Sequence, residues 1–193
     1  MMADFSKALE KLFELEHRGD CCAALHKNPG ESGYTFMGIY QSAHPHLRLW
    51  DAMRETAKKY RCDLSNRAHR AGVSCMMCRN MEVVREVRSF YKREFWDRIC
   101  GDHIASQKIA EEIFIFAANA GVKTAVKRAQ ELVGATPDGI CGPQTLRALN
   151  SYDPDLFDIA FDEEEIEYYE GLIARRPSLS IFARGWRNRA RAV

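Results

Sequence analysis

The sequence predicts an all-α protein with a main helical domain and a small helical C-terminal subdomain. Apolar residues recur at the three- and four-residue spacing of buried helix faces over most of the chain. No segment has the alternating pattern of a β-rich region, and no repeat or low-complexity tract is present. A chain of 193 residues suits one domain with an appended subdomain. We therefore place a boundary after residue 134, between domains 1–134 and 135–193.

The first predicted helix begins close to the N-terminus. Asp4 is a residue type that caps helix N-termini, and Phe5, Leu9 and Leu12 follow at helical spacing. The same stripe continues onto Glu16. Gly19 comes next, and glycine is the residue that most often ends a helix. We therefore expect this helix to end shortly after Glu16.

The stretch 20–40 is predicted to be a long structured loop or a short hairpin. It contains Pro29, Gly30, Gly33 and Gly38, which interrupt regular helices. A loop of this length in a small protein usually has a function.

The remaining segments are predicted to be helical. Apolar spacing indicates helices over about 47–60 and 83–95, and the core is expected in 104–133, where the pattern becomes apolar almost all round. In the C-terminal part, a glycine-rich turn at 136–143 precedes a short helix that starts at Pro143. Two further helices, about 155–175 and 178–191, are separated by Pro177.

Composition limits the classes of partner. The formal net charge is +1, so the total charge does not indicate nucleic acid or an anionic membrane as a partner. No apolar run reaches the roughly 18 residues of a membrane helix, and the N-terminus lacks the apolar region of a secretory signal. We therefore expect a chain that is made in the cytoplasm without a signal peptide and has no integral membrane segment.

The seven cysteines are expected to be structural thiols. Their number is odd, Cys21 and Cys22 are adjacent, and Cys75 and Cys78 form a CxxC. A complete disulfide framework is therefore impossible, and reduced thiols are favoured. The CxxC has no second ligand pair at zinc spacing, so we expect neither a metal nor a cofactor.

Glu16 is the candidate for a catalytic acid. A carboxyl group on the apolar face of its helix is expected to be partly desolvated, which would raise its pKa. The negative end of the helix dipole acts in the same direction. A protonated carboxylic acid is what glycosidic cleavage requires, because the leaving oxygen must receive a proton. On the residues alone, a solvent-exposed rim position is the alternative.

The segment after this glutamate carries a family motif. Gly33, Thr35, Gly38 and Ile39 match the latter half of an Asp-Pro-Gly-Gly-x-Thr-x-x-Gly-Ile pattern residue for residue. In this respect the chain resembles the muramidases of glycoside hydrolase family 108, also called secretion activator proteins. In that family the motif follows a glutamate at the end of the first helix, which here is Glu16.

Four further segments are similar to the same family, and they occur in the same order. Residues 91–99 resemble its Tyr-Trp-Asp segment, and 116–121 resemble its Asn-x-Gly helix end. Residues 138–150 are similar to the peptidoglycan-binding element of the family, and 182–189 match its Phe-x-x-Gly-Trp-x-x-Arg ending. The resemblance therefore extends from about residue 5 to the C-terminus.

The resemblance implies a lysozyme-like helical fold that hydrolyses the β-1,4 bond between N-acetylmuramic acid and N-acetylglucosamine in peptidoglycan. Glu16 inherits the role of general acid. Asp20 and Glu31 are the candidates for the second carboxylate, and Glu31 is preferred because it lies nearer to Thr35. Thr35 itself either positions the attacking water or stabilises its turn through a side-chain hydrogen bond.

Several residues are candidates for substrate binding. Tyr34 and Tyr40 are predicted to stack on sugars, and Trp50 is a further ring of this kind, although each could be partly core. His26 is expected to orient the loop or to line the cleft. Asn119 lies in the segment that resembles the family's helix end.

Two other functions stay open at this stage. A lytic transglycosylase needs only one acid/base, and a silent wall-binding protein that assists secretion would fit the His-Arg-Gly after Glu16, where the family has Gly-Gly. In each case we expect the chain to act in the periplasm or cell wall, with peptidoglycan as its partner and a holin-like exporter as a candidate second partner. The stereochemical outcome, oligomeric state and export route are left open.

Overall fold

The computed structural model describes residues 2–17, 19–28 and 30–192. The described chain is mostly helical, so the all-α prediction is confirmed. Its helices are α1 (Phe5–His17), α2 (Leu49–Lys59), α3 (Arg67–Arg79), α4 (Met81–Tyr91), α5 (Gln107–Ala120), α6 (Val122–Leu132), α7 (Pro143–Ser151), α8 (Pro154–Arg175) and α9 (Ala183–Ala190). Shorter helical segments are a π-helix (Lys92–Trp96) and 3-10 helices at Gly101–His103 and Pro177–Phe182. No helix in the described ranges is long and apolar enough to cross a membrane.

The chain divides into two compact units. One consists of residues 12–91, which we call the sheet unit, and the other consists of residues 2–11 with 92–192, which we call the helical unit. This division does not coincide with the boundary predicted after residue 134, because 92–192 lie in one unit. As a division between functions, 1–134 and 135–193 stay a prediction.

The sheet unit contains α2, α3, α4 and a small antiparallel sheet. The strands are β1 (Leu25–His26), β2 (Thr35–Phe36) and β3 (Ile39–Tyr40), in the order β1-β2-β3. The loop predicted at 20–40 therefore contains a short hairpin, which was one of the two forms expected. The core side chains of this unit include Leu12, Leu25, Phe36, Ile39, Trp50, Met53, Val73, Met77 and Val87.

The start of α1 follows the sequence prediction. One carboxylate oxygen of Asp4 accepts a hydrogen bond from the backbone N–H of Ser6 (2.7 Å), which satisfies a donor at the helix N-terminus. Gly19, two residues after the last residue of the helix, adopts a positive φ of 69°. Helix α1 therefore ends where glycine permits the chain to reverse.

The helical unit is built around α5. Residues Ile113, Phe114 and Phe116 of this helix are buried, as expected for a central helix. The ring of Phe116 packs edge-on against Phe161 of α8, with 5.7 Å between the ring centroids. Gly121 has a φ of 89° and separates α5 from α6. The predicted core region 104–133 is therefore two helices with a glycine between them.

Helix α3 was not predicted from the sequence. It begins after Asn66, whose side-chain oxygen accepts hydrogen bonds from the backbone N–H groups of Ala68 and His69. Only Val73, Ser74 and Met77 of this helix are buried. A stripe this narrow gives little apolar periodicity, which explains why the pattern was missed.

Candidate functional site

The hairpin aligns three of the predicted site residues. His26 pairs with Thr35 across β1 and β2, and Thr35 pairs with Tyr40 across β2 and β3. Directly paired residues of antiparallel strands project from the same face of a sheet. His26, Thr35 and Tyr40 therefore share one face, on which Thr35 is buried and His26 and Tyr40 are partly exposed. Leu25, Phe36 and Ile39 project from the other face and are buried.

The turn between β2 and β3 has little free space. Met37 and Gly38 form this turn with φ values of 48° and 80°, as in the two-residue hairpin turns that have positive φ at both positions. The hydroxyl of Tyr91 donates a buried hydrogen bond to the carbonyl oxygen of Met37 (2.7 Å). A Cβ on Gly38 would lie 2.5 Å from this hydroxyl. Glycine is therefore required at 38 by both its backbone conformation and the space available.

The carboxyl group of Glu16 lies beside this turn. A Cβ on Gly38 would be 3.8 Å from the Cδ and from one carboxyl oxygen of Glu16. The ring of Phe13, one turn earlier on α1, packs edge-on against Tyr91 with 5.7 Å between centroids. Helix α1 and Tyr91 thus place the carboxyl group next to the hairpin that carries Thr35.

The side chain of Glu16 is exposed. The expectation that its place on an apolar helix face would bury the carboxyl group is therefore wrong for the chain without substrate. The reason is its position in the last turn of α1, where the stripe reaches the end of the helix. An exposed carboxyl beside a glycine turn has room for a ligand to approach.

The two candidates for the second carboxylate have different surroundings. The carboxylate of Glu31 accepts hydrogen bonds from the backbone N–H (3.3 Å) and the side-chain amide (3.0 Å) of Asn28. Asp20 accepts a hydrogen bond from the backbone N–H of Cys22 (2.8 Å) and lines a cavity together with Arg67. Asp20 is therefore held by its own loop beside a cavity that α3 also lines, whereas Glu31 stays within the part of the loop that leads to the hairpin. The role of Glu31 stays a prediction.

Tyr40 belongs to a hydroxyl cluster. Its oxygen lies 3.3 Å from the hydroxyl of Ser32, which in turn lies 2.9 Å from the hydroxyl of Ser42. The hydrogen bonds from Ser32 and Ser42 lower the pKa of Tyr40 from its usual value. This cluster fixes the phenol oxygen while the ring stays partly exposed, so Tyr40 can still contact a ligand.

The other predicted aromatic residues separate into two groups. Tyr34 is partly exposed, and the ammonium of Lys27 lies 5.6 Å from the centroid of its ring. Trp50 is fully buried, and its indole N–H donates to the carbonyl of His44 (2.8 Å). Trp50 is therefore a core residue, and the hypothesis that its ring stacks on a sugar is wrong.

Asn119 has a partner on α9. In the amide orientation that satisfies both groups, its oxygen accepts two hydrogen bonds from the guanidinium of Arg189, at 3.0 and 3.1 Å. This pair connects α5 to α9 within the helical unit. The substrate-binding role of Asn119 stays a prediction.

The cysteines depart from expectation. Cys22 and Cys75 form a disulfide between the loop and α3, so the prediction that all thiols are reduced is wrong for this pair. The odd number of cysteines excludes the pairing of all seven in disulfides, but it permits a single disulfide. Within the described ranges, no group of three or more His, Cys, Asp or Glu side chains is arranged to hold a metal ion.

Tyr91 is the site residue that sequence reasoning missed. It was treated as part of a helix stripe, although the segment that resembles the Tyr-Trp-Asp motif begins at this residue. The position of Tyr91 at the start of this family-like segment is the signal that could have identified it as a site residue. Its contact with Met37 joins residues 54 positions apart, which no local pattern reveals.

The fold and the comparisons define a glycoside hydrolase with a peptidoglycan-binding region. The profile described as "Glycosyl hydrolase 108" matches residues 22–121, and the profile described as "Predicted Peptidoglycan domain" matches residues 124–191. Because the first match covers more than half of the chain, this protein belongs to the glycosyl hydrolase 108 family. Glu16 precedes the first residue of that match. No curated protein sequence matches the chain.

One solved structure is similar over most of the chain. The structure of Brucella abortus SagA superposes with a TM-score of 0.65 at 22% sequence identity. The alignment covers 96% of this chain and 88% of that chain. This similarity shows that the two proteins share a fold, which is the mostly helical, lysozyme-like fold expected from the sequence.

Proposed function

We propose that this protein is an N-acetylmuramidase that hydrolyses the β-1,4 bond between N-acetylmuramic acid and N-acetylglucosamine. Glu16 acts as the general acid and gives its proton to the leaving glycosidic oxygen. The observation that carries the proposal is the position of the Glu16 carboxyl group, exposed and beside the Gly38 turn. A carboxyl group without this access could not reach the scissile bond of a polymer.

The hairpin face supplies the other proposed contacts. His26, Thr35 and Tyr40 share one face of the sheet, where they could contact a glycan that lies along the hairpin. In this proposal Thr35 orients the attacking water, and Tyr34 and Tyr40 contact sugar rings. Asn119 is proposed as a further substrate contact.

Glu31 is proposed to activate the attacking water. Its carboxylate is oriented by two hydrogen bonds from Asn28. The water would lose a proton to Glu31 as its oxygen bonds to the anomeric carbon, while the proton of Glu16 passes to the leaving sugar.

The proposed place of action is the periplasm or cell wall, with peptidoglycan as the partner. The disulfide between Cys22 and Cys75 supports an oxidising compartment, because structural disulfides persist there. A holin-like exporter is proposed as the route of release.

The decisive experiment compares two glutamates of the same helix. Glu16→Gln should lower the release of fragments from purified sacculi by about 10²–10⁴-fold, because glutamine cannot donate the proton. Glu14→Gln, two residues earlier and also exposed, should retain near-normal activity. If Glu16→Gln kept more than about a tenth of the turnover while melting normally, the general-acid role would be wrong.

A lytic transglycosylase is the second candidate, because that reaction needs no carboxylate to activate water. The observation that favours it is that both hydrogen bonds of the Glu31 carboxylate come from Asn28, in the same loop. Mass spectrometry of the fragments separates the two reactions. Reducing muramic ends indicate hydrolysis, and 1,6-anhydro ends indicate a transglycosylase. A wall-binding protein without activity would give neither product.

A further inference from the structure

A basic cavity lies on the helical unit. It has a volume of about 440 Å³ and opens between helices α6 and α8. The side chains that line it include Lys123, Lys127, Arg128, Glu131, Tyr168 and Arg175, which we call the basic pocket. All of them except Lys123 lie within the residues that match the peptidoglycan domain.

The pocket carries an excess of positive charge. Four of the seven residues that line the cavity are cations and one is an acid; the seventh, not named above, is Thr124. Arg128 is neutralised in part by Glu164, at 2.8 Å. In the part of the chain that the structure describes, no salt bridge is formed by Lys123, Lys127 or Arg175. The carboxylate of Asp138 is within electrostatic range of Lys127, so the charge of Lys127 is partly shared with the turn. All three cations can still contact an anionic ligand.

The glycine-rich turn fixes the two lysines. A Cβ on Gly139 would lie 2.7 Å from the Cγ of Lys123 and 3.3 Å from the Cγ of Lys127, so the turn packs directly on both aliphatic stems. The carboxylate of Asp138 is held by the side chain of Gln130 (2.8 Å). The motif that most resembles a peptidoglycan-binding element therefore positions the lysines of the pocket.

Tyr168 gives the pocket a rigid wall. Its ring packs edge-on against Phe116 and Tyr169, with 5.4 Å between centroids in each pair. The side chain stays partly exposed. A fixed aromatic ring beside cations provides both an apolar surface and charge for a short peptide.

We propose that the basic pocket binds the carboxylates of the peptidoglycan stem peptide. This rests on the proposed function, which makes peptidoglycan the partner. The N-acetyl sugars of the glycan strand are uncharged when the lactyl group is joined to the peptide, so the negative charges of the polymer are on the stem peptides. A pocket of cations on the binding region selects this part of the polymer.

The test measures binding of the full chain to a synthetic stem tetrapeptide of alanine, glutamate, diaminopimelate and alanine. The double change Lys123→Gln/Lys127→Gln should weaken binding by about tenfold or more, since hydrogen bonds to charged groups are among the stronger ones. The matched control Lys7→Gln/Arg184→Gln removes the same charge from exposed positions outside the pocket. It should change the dissociation constant by less than about twofold.

Further arms separate the ligand classes. The same peptide with amidated carboxylates should bind the unchanged protein weakly, and uncharged oligomers of N-acetylglucosamine should show no dependence on Lys123 and Lys127. Unchanged peptide binding by the lysine variant would overturn the proposal, as would tighter, lysine-dependent binding of a polyphosphate or a DNA duplex. Peptide binding does not require cleavage, so this outcome is independent of the result for Glu16→Gln.

A second inference rests on the cysteines. Cys78 donates a hydrogen bond to the carbonyl of Cys21 (3.7 Å), so these two residues are in contact. In the helical unit, Cys100 donates to the carbonyl of Cys141 (3.0 Å), so these two residues are in contact as well. With the bridge already present, six of the seven cysteines are thus arranged in pairs.

We infer that an oxidising compartment closes two further disulfides, Cys21–Cys78 and Cys100–Cys141. Each closure removes two thiol protons and two electrons, and the electrons reduce a disulfide of the oxidant to two thiols. Burial, and then the neighbouring Cys21, raises the pKa of Cys78 to about 12. Burial, and then the neighbouring Cys100, raises the pKa of Cys141 to about 12 as well. Closure should therefore be slow without a catalyst, because the thiolate is the reacting form.

Oxidised glutathione in excess is the oxidant for the test. Alkylation and mass spectrometry should then find one free thiol, at Cys62, in the folded chain. Cys21→Ser should leave Cys78 as an additional free thiol, and Cys100→Ser should do the same for Cys141. The inference is overturned if the four thiols stay alkylatable after prolonged oxidation, or if Cys21→Ser releases a cysteine other than Cys78.

Discussion

The hydroxyl of Tyr91 donates a hydrogen bond of 2.7 Å to the carbonyl oxygen of Met37, and both residues are buried. This bond joins the end of α4 to the hairpin turn. The Glu16 carboxyl group also lies beside Gly38, 3.8 Å from where a Cβ would be. The geometry of the proposed acid therefore depends on a turn that Tyr91 holds in place.

Removal of this hydroxyl should affect both stability and activity. In Tyr91→Phe the carbonyl of Met37 would remain buried without its partner, which should lower the free energy of unfolding by about 1–3 kcal/mol. Wall-clearing activity should fall as well, because the turn beside Glu16 loses its support. Urea unfolding and a sacculus assay measure the two effects.

The matched control is Tyr60→Phe, which removes a hydroxyl from a ring that is 53% exposed. It should change stability by no more than about 0.5 kcal/mol. Equal effects of Tyr91→Phe and Tyr60→Phe would show that the bond to Met37 does not support the turn.

A methyl group at position 38 should disturb the same turn more strongly. Gly38→Ala forces a residue with a Cβ into a φ of 80° and places that Cβ 2.5 Å from the Tyr91 hydroxyl. Left-handed backbone alone costs about 1–2 kcal/mol, and the contact adds to it.

Gly72→Ala, in α3 with no atom within 4 Å of the new Cβ, should instead stabilise by up to about 1 kcal/mol. Thermal unfolding of both variants shows whether each substitution lowers or raises the stability. An unchanged stability in Gly38→Ala would contradict the described turn.

The disulfide should contribute strongly to the sheet unit. Cys22 and Cys75 are 53 residues apart, and closing a loop of this length is worth roughly 4 kcal/mol in the chain-entropy description. The comparison uses chains in which Cys21 and Cys78 are already serine, so that no second bridge can close the same loop. Changing both bridged cysteines to serine should then lower unfolding free energy by a few kcal/mol, whereas Cys62→Ser should not. A loss below about 1 kcal/mol would contradict a closed bridge.

Helix positions were predictable because their signals are local. Pro143 and Pro177 mark the start of α7 and the break after α8, and Gly121 marks the gap between α5 and α6. Each of these residues restricts or frees its own backbone. The buried face of helix α3 consists of only three residues, so its apolar pattern is too weak to predict the helix.

The site was only partly predictable because it depends on distant contacts. The sequence placed Glu16 at a helix end, followed by the segment that carries Thr35. It could not show that Tyr91 would reach Met37, or that Cys22 would pair with Cys75. An odd number of cysteines leaves every pairing open. Burial of Glu16 was wrongly inferred, since periodicity shows the direction of a side chain but not what covers it.

The helical unit contains a buried carboxyl group outside the proposed site. Glu112 of α5 is completely buried, and neither of its carboxyl oxygens has a hydrogen-bond partner among the described residues. Burial, and then the charge of Glu165, raises the pKa of Glu112 to about 10. Burial and the charge of Asp162 raise the pKa of Glu165 to about 8. The carboxylate of Asp158 on α8 interacts with the protonated form of Glu112, and the charges of Asp162 and Asp158 raise the pKa of Glu112 further.

These shifts predict that the protein becomes less stable as the pH rises. An unfolded Glu112 loses its proton near its ordinary pKa of 4.5, whereas the folded one keeps the proton until about 10. Between these values unfolding releases a proton, so this group lowers the unfolding free energy by up to about 1.4 kcal/mol per pH unit. Glu112→Gln cannot ionise and should make the decline between pH 5 and 8 less steep, leaving the contributions of Glu165, whose pKa is about 8, and of Asp162, whose pKa is about 6. Glu111→Gln, on the neighbouring residue, is the control and should follow the unchanged protein. Urea unfolding at several pH values gives the slopes, and parallel slopes for Glu112→Gln and the unchanged chain would show that Glu112 is already ionised in the folded state.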